Sequence, residues 1–175
     1  MTTRRPPSRL RKTLAGALLS LLVAVVAVLL AARFGAFAGH VPDDLGVAAG
    51  RLKPPSLTAN SVSSQADLYP DHPQRAYASI DPLPLLLNQS PEASLTRLAE
   101  EIGKRDGVAV TERKPDYLKA EARTRWMGFV DDLEFWFNPT RQVIEVRSAS
   151  RLGRKDFGVN RERIEALRQA YLQAS

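Results

Sequence analysis

Three clusters in this 175-residue chain combine side chains that could do chemistry. The first is Asp131-Asp132-Leu133-Glu134, carboxylates suited to a hard cation or to general acid and base work. In a strand, alternation sends Asp131 to one face and Asp132 with Glu134 to the other, where Arg123, Arg125 and Arg147 would be neighbours. Guanidiniums compete with a metal for the same oxygens, so the pattern favours an ion-paired face, and no metal site is predicted. The second cluster is Asn60-Ser61-Val62-Ser63-Ser64-Gln65. Ser63 and Ser64 have no base beside them in sequence, so hydroxyls that cap a turn or a sheet edge are the better reading. The third is Arg147 to Arg168, RSASRLGRKDFGVNRERIEALR. An anion site here would use Arg147, Ser148, Ser150, Arg151 and the free N–H groups of a helix start. The structural alternative has Asp156, Gly153 and Gly158 shaping a turn, Asn160 capping a helix, and the arginines answering Asp132, Glu134 and Glu145.

Absent residue types exclude several chemistries. The chain has no cysteine, which removes disulfides, thiol nucleophiles, thiolate metal sites and lipid-modified cysteine. Its two histidines, His40 and His72, lie in irregular sequence, which argues against a Ser-His-Asp triad or a zinc centre. No phosphate-loop or dinucleotide spacing is present, and no cofactor is predicted.

The elements that must position these residues can be read from periodicity. SPEASLTRLAEEIGKRDG predicts a helix: Ser90 at the N-cap, Pro91 in the first turn, Leu95, Leu98, Ala99 and Ile102 on one stripe, Gly107 as a left-handed stop. The period then falls to two. Leu118, Ala120, Ala122, Thr124 and Trp126 alternate with charged residues, as do Leu133, Phe135 and Phe137, then Ile144 and Val146 after the turn Asn138-Pro139-Thr140-Arg141. A further strand is expected around Val108 to Thr111, and a short first strand in RAYASI, 75–80, before Asp81-Pro82. NRERIEALRQAYLQA predicts a final helix with Ile164, Leu167 and Tyr171 on one stripe.

These elements predict an α+β domain of two layers: an antiparallel sheet of four to five strands with two helices on one face. Charge suggests the register. Setting Glu134 opposite Arg147 and Arg123 avoids facing Glu145, and it places Ala120 and Ala122 against Phe137 and Phe135. On an exposed face such pairs contribute only about 0.2 to 1 kcal/mol each.

Leu14 to Ala32 carries no charge over nineteen residues, just under 30 Å of helix, which matches a bilayer core. Arg4, Arg5, Arg9, Arg11 and Lys12 precede it without an acid, predicting a cytoplasmic N-terminus and an exported remainder. The competing reading is a signal peptide cleaved after Ala36-Phe37-Ala38, but the apolar run is long for one. The expected organisation is therefore 1–12 cytoplasmic, 13–38 transmembrane anchor, 39–57 tether and 58–175 exported domain in the bacterial inner membrane. Six of the 25 basic residues lie within the first 33, so the remainder balances 19 basic against 19 acidic residues. The basic pI thus belongs to membrane topology and argues against nucleic-acid binding.

Three pieces resemble an uncharacterised bacterial and plastid family, the domain of unknown function numbered fourteen-ninety-nine. They are NSVSSQA at 60–66, GFVDDLEFWF at 128–137 and RSASRLGRKDFGVNRERIEAL at 147–167, and the likeness spans roughly 58–172. The family's first motif generally carries a cysteine where Ser61 stands, which argues against a shared thiol role. The resemblance implies an exported or membrane-associated protein and transfers no activity.

The sequence thus predicts a single-pass envelope protein whose domain binds a partner or a small anionic ligand. The bilayer through Leu14 to Ala32, and a membrane-protein partner, are the contacts it implies. Two alternatives remain: a hydrolase using Asp131, Asp132 or Glu134 with arginine clamps, and a structural subunit of a membrane complex.

Overall fold

The computed structural model describes residues 9–173. Arg4 and Arg5 of the expected basic flank lie outside the described residues. Helix α1, Arg9–Arg33, is long and apolar enough to cross a membrane, as an anchor or a signal sequence would. Its leucines and valines are largely exposed, so this helix buries almost nothing within the chain itself.

The domain is an open antiparallel sheet with helices, as its binary pattern predicts. Six strands take part: β1 Ser61–Ser63, β2 Leu83–Pro84, β3 Val108–Arg113, β4 Tyr117–Arg123, β5 Val130–Asn138 and β6 Val143–Ser150. Their order is β1-β6-β5-β4-β3, with β2 also on the outer edge of β6. The long helices are α3, Pro91–Gly103, and α4, Val159–Gln173; a one-turn helix, α2, covers Arg75–Ala78. Ser90 caps α3 as expected, its hydroxyl accepting the Ala93 N–H at 3.1 Å, with Pro91 in the first turn.

The apolar stripes of α3 and α4 meet one face of the sheet. Leu95, Leu98, Ile102, Ile164, Leu167 and Tyr171 pack there against Leu118, Phe135, Ile144 and Val146. Each fully buried side chain of this size stabilises the fold by roughly 1.5 to 3 kcal/mol relative to exposure.

Several expectations need correction. Within RAYASI, Arg75–Ala78 form α2 and Ser79 makes only an isolated bridge to Ser63, while the outer edge of β6 is taken by β1 and β2. Strand β4 ends at Arg123, so Thr124 and Trp126 leave the alternation in a turn closed by the Gly128 N–H to the Thr124 carbonyl at 3.0 Å. Glu134 does face Arg147, but its β4 partner is Lys119, while Arg123 pairs with Val130. The inner pairs become Leu118 with Phe135 and Ala120 with Leu133, which fill the core more evenly than alanine against phenylalanine. Gly107 is left-handed, φ 73°, yet it lies beyond the end of α3 and turns the chain into β3.

The largest difference concerns the second face of the sheet. Expected to meet water, it is covered: Glu134, Glu145, Asp132 and Arg147 are all buried. Part of the segment 39–57, read as a tether, forms that cover. Leu52 packs with Tyr117 and Trp136, and its N–H donates to Gln65 Oε1 at 2.8 Å. Proline-rich, aperiodic sequence gives no period-based sign that it will be held down, because its contacts are made by backbone groups and isolated side chains.

Candidate functional site

The corner between β6 and α4 is built from hydrogen bonds within the chain. Asp156 replaces Asn160 as the cap of α4: its carboxylate accepts the Gly158 N–H at 3.1 Å and the Asn160 N–H at 3.2 Å. The Tyr77 hydroxyl donates to the same carboxylate. Burial opposes ionisation of Asp156, but the donors from Tyr77, Asn160 and the backbone outweigh it, so its pKa lies below the ordinary aspartate range. Burial and this carboxylate together raise the Tyr77 pKa. Two helix-start N–H groups that an external anion would use are therefore already bound to an internal one.

Asn160 is fully buried at the centre of the corner. Its Nδ2 donates to Asp156 Oδ2 at 2.8 Å, Ser150 Oγ at 3.1 Å and the Asn60 carbonyl at 3.3 Å, while its Oδ1 accepts from the Ser148 hydroxyl and, at 3.1 Å, from Arg163. Asn60 in turn donates to the Gly153 carbonyl at 2.8 Å. Ser148, Ser150, Asp156 and Asn160 are thus brought together, but as a lock that fastens the corner to β1.

Alternation sends Arg147 and Arg151 to the opposite face. Arg147 pairs with Glu134 Oε2 at 3.2 Å; Glu134 Oε1 also accepts the Tyr117 hydroxyl at 2.9 Å and the Gly46 N–H at 2.6 Å. Tyr117 has its pKa pushed far above the ordinary range, by burial first and by Glu134 second. Arg151 grips Asp132 through two bonds, at 2.8 and 2.6 Å, and also reaches Glu121. These carboxylates, Asp132 foremost, outweigh burial and raise the pKa of its guanidinium.

Glu145 accepts from Ser64 at 2.6 Å, Arg141 at 2.8 Å and Asn138 at 2.9 Å. Ser64 Oγ also receives the Val146 N–H at 2.8 Å, so it serves as a bridge between strands. Ser63 is buried and accepts the Gln65 N–H at 3.2 Å. Asp131 stands apart on the helix face, paired with Arg163 at 2.7 Å. Arg123 is exposed at the end of β4 and belongs to none of these groups. Among the described residues, no group of three or more His, Cys, Asp or Glu side chains could hold a metal ion.

The network uses residues that the sequence did not single out for this purpose: Gly46, Tyr77, Tyr117, Glu121 and Arg163. Alternation could have placed Tyr117 and Glu121 on the Glu134 face, whereas no local pattern foretells that Gly46 bonds Glu134 across 88 residues. Beside the network lies a depression of about 580 Å³ next to Trp136, lined by Ser64, Gln65, Asn138, Arg141 and Glu145.

The three motif pieces at 60–66, 128–137 and 147–167 become adjacent strands β1, β5 and β6 and the corner that follows. Residues 51–171 match the family described as protein of unknown function (DUF1499). The chain belongs to this family. The DUF1499 match begins at Arg51, so it takes in the part of the covering segment that contains Leu52. No curated protein and no solved structure matches the chain.

Proposed function

We propose that this DUF1499 chain is a single-pass envelope protein, with a cytoplasmic N-terminus and its folded domain outside the membrane, acting as a binding module. The folded unit in this reading starts near Gly46. The observation that carries the proposal is that the side chains able to do chemistry are already paired within the chain. Glu134, Asp132, Glu145 and Asp156 each accept at least two internal donors, so none is poised as an acid, base or nucleophile activator. That pairing supports a module over a hydrolase.

The depression beside Trp136 is the place for a small anionic ligand or a partner's carboxylate. Arg141 stands at its rim with its side chain 50% exposed; its Nη1 is bonded to Glu145 at 2.8 Å, which leaves its other guanidinium nitrogens for a ligand, while Asn138 and Ser64 below it hold Glu145 in place. Two measurements test the proposal. Reporters fused to the C-terminus should be active only on the exported side. Native mass spectrometry of the chain purified from membranes should find a retained anionic ligand or partner that Arg141→Ala loses without unfolding. Cytosolic reporter activity, or unaltered retention in Arg141→Ala, overturns the corresponding part.

A further inference from the structure

The turn between β4 and β5, Thr124 to Phe129, lies against the C-terminal end of α1. A Cβ at Gly128 would stand 3.1 Å from the Ala32 carbonyl oxygen, and the Phe129 ring lies 5.7 Å from that of Phe37. Met127 lines a wholly apolar niche with Ala24, Val25, Val28 and Leu29. At 1.5 Å per residue, Leu29 lies about 5 Å and Val25 about 10 Å below Ala32, the last residue of the apolar run. If α1 spans a bilayer, the turn reaches into the outer part of one hydrocarbon leaflet, itself about 15 Å deep.

The composition of the turn fits that depth. Trp126 is 72% exposed with the Arg125 guanidinium above its ring, 5.5 Å from the centroid. Exposed tryptophan costs stability in water but is favoured at the boundary between headgroups and acyl chains. The two ends of the turn are tied together: Thr124 N–H donates to the Phe129 carbonyl at 2.9 Å, and Phe129 N–H to the Thr124 hydroxyl at 2.9 Å. Between turn and helix is a cavity of about 510 Å³, walled by Leu29, Ala32 and Arg33 on one side and Arg123, Arg125 and Trp126 on the other. None of these three arginines forms an ion pair among the described residues.

We infer that this turn is a second membrane contact, which holds the phosphate of a phospholipid between Arg33, Arg123 and Arg125 and lays its acyl chain along Leu29 and Met127. A phospholipid supplies both the anion for three unpaired cations and the chain for an apolar wall, in the order in which the cavity presents them. The contact would fix the domain's orientation on the bilayer, close to where α1 emerges. The inference rests on α1 spanning the membrane.

A chain without cysteine allows a clean test. Single variants Leu22→Cys, Met127→Cys and Leu87→Cys, each carrying an environment-sensitive fluorophore, are reconstituted as the full chain in vesicles of phosphatidylcholine and phosphatidylglycerol. Leu87 is 87% exposed and follows the strand that pairs with the opposite end of β6, so it serves as the solvent reference. The expected result is quenching of position 22 by deep nitroxide-labelled lipid, of position 127 by shallow nitroxide-labelled lipid, and of position 87 by an aqueous quencher only. Replacing Arg123 and Arg125 by glutamine should reduce the shallow quenching at 127 at least twofold. If 127 behaves like 87, or is shielded from lipid and water alike by a protein partner, while 22 is lipid-quenched, this inference fails and the spanning helix stands. If 22 is not reached from lipid, the spanning reading fails and takes the inference with it. Trp126→Cys provides an independent position should Met127→Cys not fold.

Discussion

Removing the Arg147 side chain separates a surface ion pair from a buried one. Arg147 and Glu134 are 3% and 0% exposed, so Arg147→Ala leaves a carboxylate out of reach of water with its main countercharge gone. Breaking a buried pair in this way costs about 3 to 5 kcal/mol, against 0.2 to 1 kcal/mol for an exposed pair. The Tyr117 hydroxyl and Gly46 N–H still donate to Glu134, which places the expected loss near the lower end, about 3 kcal/mol. For a domain of this size that corresponds to a fall in Tm of roughly 10 °C or more. Thermal unfolding of the full chain in detergent, followed by near-ultraviolet circular dichroism, reads it through the buried Trp136. The double variant Arg147→Met with Glu134→Gln should recover much of the loss, because it leaves no orphaned charge and its amide oxygen still accepts from Tyr117 and Gly46. A fall below about 3 °C for Arg147→Ala, or a double variant no better than the single one, would refute the reasoning.

Three further outcomes follow from the same geometry. Asp156 has a depressed pKa in the fold, so its stabilisation is present above the unfolded value near 3.9 and fades as pH falls through the lower folded value; the stability gap between the natural chain and Asp156→Asn should therefore narrow below about pH 4 in acid titrations. Gly107→Ala should cost about 2 kcal/mol or more in denaturant unfolding, because φ is 73° and the new Cβ would come within 2.7 Å of the Arg123 carbonyl oxygen. Ser61→Cys should fold, since Ser61 is fully buried and contributes one acceptor, to the Ser56 N–H at 2.8 Å; its thiol should react with a thiol reagent only after unfolding, and rapid labelling of the native chain would contradict the burial.

Read together, the buried ion pairs and the corner describe a polar interior shared by distant parts of the chain. Glu134 draws its donors from residues 46, 117 and 147, and Asn160 draws its partners from residues 60, 148, 150, 156 and 163. Such a network favours one arrangement of β1, β5, β6 and the covering segment, since any slip would strand a buried charge or amide. This explains why the three motif pieces, separated in sequence, converge in space. It also explains why so few of their polar groups remain accessible.

The sequence by itself determined the apolar helix, the capped amphipathic helix after Ser90, the alternating strands and the α+β class. Each of these rests on a periodicity or a cap that neighbouring residues express alone. It also placed Glu134 opposite Arg147, because facing like charges disfavour the competing slip. Only the tertiary structure decided that this pair is buried, since burial depends on what covers a face, and the cover comes from an aperiodic segment some ninety residues away. The same holds for the cap of α4, where Asp156 reaches the helix start through a turn with two left-handed residues, Phe157 and Gly158. Trp126, placed on the inner face by alternation, instead lies in a turn beside α1. Its exposure follows from where that turn meets the apolar helix, a relation no local pattern records.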